Sequence, residues 1–252
     1  MTKAAPVRIN PYILDNHNLT LPLSRNIETY PEGIIILLNK PCGWTSADVV
    51  RRVKFSLQRW FSVRKIKVGH AGTLDPLATG VLIVCIGKAT KLAEHYQSQN
   101  KGYMAEITFG ATTPSYDLEK EIDATYPTEH ITLESINKVL PQFLGEIDQI
   151  PPLYSAKLID GNRAYDIARS GNSATLKPSR ITIHSLKTLS YSNKVLELEI
   201  MCSKGTYVRS VARDLGEALS SGAHLSNLIR ISSGNFLVKN AISINNLKLF
   251  LQ

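Results

Sequence analysis

Cysteine is scarce in this sequence, and long hydrophobic runs are missing. The three cysteines, Cys42, Cys85 and Cys202, lie far apart without a C-x-x-C pair. That usage supplies neither a disulfide framework nor zinc ligands, and it points to buried thiols in a reducing cytoplasm. The longest uninterrupted apolar run, residues 81–86, is far too short to cross a bilayer. Residues 1–9 hold no apolar core suited to a signal peptide. The six histidines show no H-x-x-x-H pair, which leaves a zinc or di-iron centre without support. No G-x-G-x-x-G follows a strand, and no G-x-S-x-G elbow appears. Gly87-Lys88-Ala89-Thr90 only approaches a phosphate-binding loop: Leu82 stands where that motif needs glycine, and Ala89 where it needs serine or threonine. Internal repeats and low-complexity segments are also absent.

What remains is an ordinary globular composition with an excess of positive charge. Hydrophobic residues make up 43% of the 252 positions and charged residues 20%, enough to bury a substantial core. The net charge of +8 favours a negatively charged partner, most simply nucleic acid.

Residues 1–32 carry prolines at 6, 11, 22 and 31 with little periodicity and read as an extension. Residues 33–38 are a short apolar strand. A turn follows, after which Thr45 or Ser46 caps a helix with Val49, Val53 and Trp60 at helical spacing. Arg51, Arg52, Lys54 and Arg59 lie mostly elsewhere on that helix, a surface that is by default simply solvated. A buried strand over 81–86, a short helix over 89–97 and an alternating strand over 102–109 come next. Thr132 caps a helix running to about Phe143, and Pro151-Pro152 ends that unit. A short helix is expected over 163–170, strands over 181–189 and 195–202, and a helix over 207–219. Residues 242–252 form a short amphipathic tail. Strands and helices mingle without regular βαβ alternation, so the reading is an α+β fold with mainly antiparallel pairing.

The densest chemistry lies in Lys67-Val68-Gly69-His70-Ala71-Gly72-Thr73-Leu74-Asp75-Pro76-Leu77-Ala78-Thr79-Gly80. Pro76 pushes Asp75 toward an extended backbone, so one carboxylate is held on a stiff glycine-rich loop before a buried strand. A carboxylate without metal or cofactor can serve as a general base or attack carbon as a nucleophile. An Asp-Pro pair in a loop is otherwise an ordinary turn element.

Gly69 to Gly80 closely resembles the catalytic motif of TruB-type tRNA pseudouridine synthases, G-H-x-G-T-L-D-P-x-A-T-G. Three further segments resemble family motifs in the right order. Leu38 to Ser46 is similar to the lysine-proline motif, Ile150 to Lys157 to the start of the tRNA-binding insertion, and Cys202 to Arg209 to the segment carrying a tyrosine and an arginine of the active site. The resemblance implies a pseudouridine synthase fold, with a mixed, mainly antiparallel central sheet flanked by helices. It implies an N-terminal extension over 1–32, a catalytic domain over 33–236 with an RNA-binding insertion at 151–180, and a tail over 237–252 too short for a complete C-terminal PUA domain.

In function, the resemblance implies isomerisation of uridine 55 in the T-loop of tRNA, without a cofactor, a metal or a guide RNA, by a cytoplasmic monomer with no membrane partner. Asp75 matches the nucleophile, Tyr103 the tyrosine stacked on the target base, and Arg209 the arginine paired with the nucleophile. His70, Tyr207 and Leu228 match pocket positions, and Asp117 the second aspartate of a D-T-x-D-x-x-G segment. Here that segment has Pro114 and Lys120 at its ends. Lys157, Lys177 and Arg180 in the insertion suit phosphate contacts, while Lys40 and Pro41 read as scaffold. The family's L-R-R segment stands as Leu228-Ile229-Arg230, one candidate phosphate contact short. The alternative is a tRNA-binding or tRNA-folding protein in which catalysis is secondary or lost.

Overall fold

A computed structural model describes residues 10–18, 21–155, 158–159, 162–163 and 176–251. In chain order its main elements are β1 (Tyr12–Leu14), β2 (Ile34–Lys40), α1 (Ser46–Trp60), β3 (Val68–His70), β4 (Thr79–Ile86) and α2 (Ala93–Ser98). They continue with β5 (Lys101–Phe109), α3 (Leu133–Val139), β6 (Gly145–Gln149), β7 (Ser179–Ser192) and β8 (Val195–Cys202). The last are α4 (Val208–Ala218), β9 (Ala223–Ser233) and β10 (Ile242–Ser243). The chain divides into two compact units, Met1–Gln99 with Arg230–Gln252, and Asn100–Ile229.

In the first unit β2 pairs antiparallel with β4, from Ile34 opposite Ile86 to Lys40 opposite Gly80. Both strands are covered on both faces, which explains their nearly unbroken apolar sequences. Ile34, Ile36, Leu38, Leu82, Val84 and Ile86 pack with Val49, Val53, Leu57 and Trp60 of α1. The alternate residues Ile35, Leu37, Val81, Ile83 and Cys85 form a second cluster with Ala71 and Ala89. Helix α1 starts as its sequence requires. Thr45 accepts a bond from the Asp48 N–H at 3.1 Å, and the Asp48 carboxylate accepts one from the Thr45 N–H at 2.9 Å.

Two stretches with weak sequence patterns join this unit's sheet. Tyr12–Leu14, inside the expected extension, pairs in parallel with Ile34–Ile36, and β10 pairs in parallel with Leu38 and Asn39. Leu14, Leu23, Leu247 and Phe250 are buried in the α1-side core. The expected helix over 89–97 divides into a 3-10 turn, Gly87–Leu92, followed by α2.

The second unit is antiparallel throughout its main sheet, with β5, β8, β7 and β6 as successive neighbours. Every second residue of β5 from Tyr103 to Phe109 is buried, the alternation read from the sequence. Thr132 caps α3 as expected, and the helical course ends in a 3-10 turn, Leu140–Phe143. Helix α4 buries Val208, Val211, Ala212 and Leu215. The helix expected over 163–170 falls outside the described residues. Among the described residues, no helix is long and apolar enough to cross a membrane.

Gly80, the second residue of β4, has φ of 106°, and a Cβ there would meet the Arg230 carbonyl oxygen at 2.3 Å and its nitrogen at 2.5 Å. Gly80→Ala therefore combines a disfavoured backbone conformation with a clash against main chain, which cannot swing aside. We expect a loss of about 3 kcal/mol or more in urea-monitored unfolding; a change within about 0.5 kcal/mol would contradict the close packing of these two strands.

Candidate active site

The Asp75 loop links β3 to β4 and has no regular secondary structure, so its backbone carbonyls need partners from elsewhere. Side chains buried in the first unit supply them. The Ser46 hydroxyl donates to the Leu74 carbonyl at 3.1 Å and accepts from the Leu74 N–H at 2.9 Å. The Lys40 ammonium is fully buried and donates to the carbonyls of Pro41 (2.9 Å), Trp44 (2.6 Å) and Pro76 (2.9 Å). The Pro76 oxygen also accepts the Gly43 N–H at 2.9 Å. Arg230 is 1% exposed and spans the loop's two ends. It donates to Gly72 O at 3.1 Å and Thr73 O at 3.3 Å on one side, and to Val81 O at 2.8 Å on the other. The Ala78 N–H returns to the Asp75 carbonyl at 3.2 Å, closing a turn. Half-buried Asp75 thus sits between two residues whose backbones are fixed from below.

Charge follows from this packing. Burial pushes the Lys40 ammonium from 10.5 down to about 8, opposed by attraction to Cys42 and then to Asp75. His70, half-buried on β3, is pushed below its ordinary value by burial and then by the Arg230 charge, so its imidazole is neutral at pH 7.

The second unit carries the other expected residues. Tyr103 is 9% exposed, on the buried face of β5 opposite Ile200. Arg209 is buried in the first turn of α4, donates to Ser115 O at 3.1 Å and Tyr154 O at 2.9 Å, and lies 3.6 Å from the Asp117 carboxylate. Asp117 is itself buried, with its second carboxylate oxygen accepting the Glu119 N–H at 3.0 Å. The unusual segment around it is therefore well held: Tyr116 takes a left-handed φ of 62°, and the Thr113 and Ser115 hydroxyls donate to the Asp117 carbonyl.

Tyr207 precedes α4, and the Gln149 amide holds its backbone from both sides. That amide donates to Tyr207 O at 3.1 Å and accepts from Tyr207 N–H at 2.8 Å. Leu228 is buried on β9. Lys177 and Arg180 are exposed, and Arg180 also faces Asp148 at 3.5 Å across the β6–β7 pair. Lys157 lies outside the described residues.

Structure thus joins Arg209 to Asp117, a pairing not anticipated from sequence, and confirms Lys40 as scaffold. Sequence reasoning missed Ser46, Gln149 and Arg230 as supports. Ser46 had a signal, being a second hydroxyl beside the capping threonine with no capping duty of its own. Among the described residues, no three His, Cys, Asp or Glu side chains cluster as a metal site would need.

The fold has solved counterparts. The chain is similar to one in an H/ACA ribonucleoprotein bound to a substrate RNA containing 2′-deoxyuridine (26% identity, TM-score 0.60, 84% of this chain and 51% of that one). It is also similar to one in a Cbf5–Nop10–Gar1 complex (26%, TM-score 0.64, 86% and 58%). It therefore spans between half and three-fifths of those longer chains. The class is that of the pseudouridine synthases, which are isomerases. More particularly, residues 58–208 match the model of the TruB family pseudouridylate synthase N-terminal domain, and the chain belongs to that family. Its relatives include tRNA pseudouridine synthase B of Bacteroides fragilis, 56% identical over 82% of this chain and 88% of the relative. Those of Phocaeicola vulgatus (51%, 85% and 92%) and Clostridioides difficile (44%, 86% and 71%) are similar too.

The depressed Lys40 pKa has a measurable consequence. Below about pH 8 the lysine is charged in both folded and unfolded chains and carries the full cost of burial. Between about 8 and 10.5 the folded chain holds fewer protons than the unfolded one, so this group adds stability as pH rises. Denaturant unfolding of wild type and Lys40→Met from pH 7.5 to 10.5 should show wild type gaining roughly 3 kcal/mol on the variant. A pH-independent difference would contradict the burial of this charge.

Proposed function

We propose that this chain isomerises uridine 55 in the T-loop of tRNA to pseudouridine, as a cytoplasmic monomer without a guide RNA. The observation that carries this reading is the Asp75 loop, which matches the family's catalytic pattern throughout and is fixed on both sides of the aspartate by buried donors. The names of the curated relatives supply the tRNA substrate.

A uridine inside a folded loop is closed to attack, so the reaction needs the base turned out of its stack and received on an aromatic or apolar surface. In this reading Tyr103 provides that surface, while His70, Tyr207 and Leu228 line the rest of the pocket. A neutral His70 suits a site next to an uncharged base. Asp75 acts as the nucleophile that assists cleavage of the C1′–N1 bond. The uracil then rotates and rejoins the sugar through C5, and the bond to the Asp75 carboxylate breaks. The C5 proton is removed, with Tyr103 the candidate acceptor, and N1 takes up a proton. Atoms balance, because the product is an isomer of the substrate.

Arg209 serves as the cation paired with the nucleophile. The buried Asp117 beside it supports this role by holding the guanidinium in place. Lys157, Lys177 and Arg180 contact phosphates, which positions the RNA without reading its sequence.

Asp75→Asn keeps the shape of the side chain and removes its charge. On an unmodified tRNA transcript, conversion should fall below about a thousandth of the parent rate while the binding constant stays nearly unchanged. Turnover close to the parent rate would rule Asp75 out as nucleophile; binding with no product from the parent enzyme would favour the RNA-folding alternative.

A further inference from the structure

The excess positive charge is concentrated in one place. Between Val49 and Leu74 the sequence has seven lysines and arginines and no carboxylate, against a net charge of +8 for the whole chain. This stretch comprises most of α1 and the segment leading through β3 to the Asp75 loop. The nearest carboxylate at the start of α1, Asp48, is already engaged by Thr45 and Arg51.

Along the exposed side of α1 lie Arg52, Lys54, Phe55 and Arg59. Positions 52, 55 and 59 share one stripe of the helix. Phe55 is 55% exposed, and the Arg59 guanidinium lies 5.7 Å from its ring centroid. Near the end of the helix, the Arg25 guanidinium lies 4.5 Å from the Trp60 ring. Arg64, Lys65 and Lys67 continue the exposed charge beyond it.

Position relative to the Asp75 loop gives this charge a direction. Ser46, the first residue of α1, is bonded to Leu74. At 1.5 Å per residue, the cations at 52 to 59 therefore lie roughly 9 to 20 Å along the helix from that anchor. A helix face that is merely solvated carries both signs of charge, often as i,i+4 pairs. Two cations two turns apart on one stripe, Arg52 and Arg59, with the Phe55 ring between them, instead match a polyanion that has both repeating phosphates and stacking bases.

We propose that this face of α1 binds the phosphate backbone of the substrate RNA flanking the reacting uridine. The proposal rests on the tRNA reading above for the identity of the RNA. The contacts add affinity and salt dependence, carry no base specificity and take no part in the chemistry.

The test compares wild type with the full-length double variant Arg52→Gln, Arg59→Gln. Binding to an unmodified tRNA transcript is measured over a range of salt concentrations, and conversion at saturating RNA. Both positions are exposed, so the melting temperature should stay within about 2 °C of the parent. Loss of two phosphate contacts should reduce the slope of log Kd against log salt by about 2 and weaken binding on the order of 10-fold near 0.15 M salt. Turnover at saturation should remain within about twofold. An unchanged slope and Kd in the folded variant would show a solvated face and overturn the proposal. So would an equal loss of turnover at saturating RNA, which would assign these residues to the chemistry. If wild type bound with the expected salt effect but formed no pseudouridine, the catalytic reading would fail while the binding face stood.

Discussion

Two buried cations hold the loop that carries Asp75. Lys40 reaches the Pro76 carbonyl immediately after Asp75, and Arg230 joins the carbonyls of Gly72 and Thr73 to that of Val81 on the following strand. A loop of this kind leaves carbonyl oxygens unsatisfied, and neutral side chains would offer one donor, or two from an amide. An ammonium offers three donors and a guanidinium five, so two residues can secure the backbone on both sides of Asp75. The cost is the burial of two charges, visible in the depressed lysine. The return is a backbone fixed on both sides of Asp75.

The surrounding fold follows from the same need. β2 and β4 must be buried on both faces to form a rigid floor, so α1 covers one face and a second apolar cluster the other. β2 ends at Lys40 and α1 begins at Ser46, which places two of the loop's supports at neighbouring element ends. Near the start of β4, Gly80 lies against the Arg230 backbone, where only glycine fits. In the second unit, Arg209 plays a comparable part for α4. It ties Ser115, Asp117 and Tyr154 to one guanidinium.

Much of this was legible in the sequence wherever a local rule fixed the outcome. Thr45 with Asp48 three residues on is a capping box, residues 81–86 are a doubly covered strand, and the alternation from Tyr103 to Phe109 sets which side chains turn inward. The glycines and Pro76 around Asp75 marked the stretch as a stiff loop, as found. What could not be read were contacts made between distant parts of the chain. Arg230 looks like a surface cation in Leu228-Ile229-Arg230, and nothing nearby reveals that three carbonyls at positions 72, 73 and 81 will bury it. Tyr12–Leu14 is too short to show periodicity among prolines, and it is a strand only because β2 offers it an edge. Gln149 sits in a short polar strand, and its amide acquires a purpose only when Tyr207, 58 residues later, arrives beside it.

The central claim is that this chain, unaided, converts one particular uridine of tRNA. It is tested most directly by incubating the purified protein with an unmodified tRNA transcript and mapping pseudouridine nucleotide by nucleotide. A single modified position in the T-loop, at uridine 55, formed without any added guide RNA, is the predicted result. Absence of product, modification elsewhere in the tRNA, or dependence on a second RNA would contradict it.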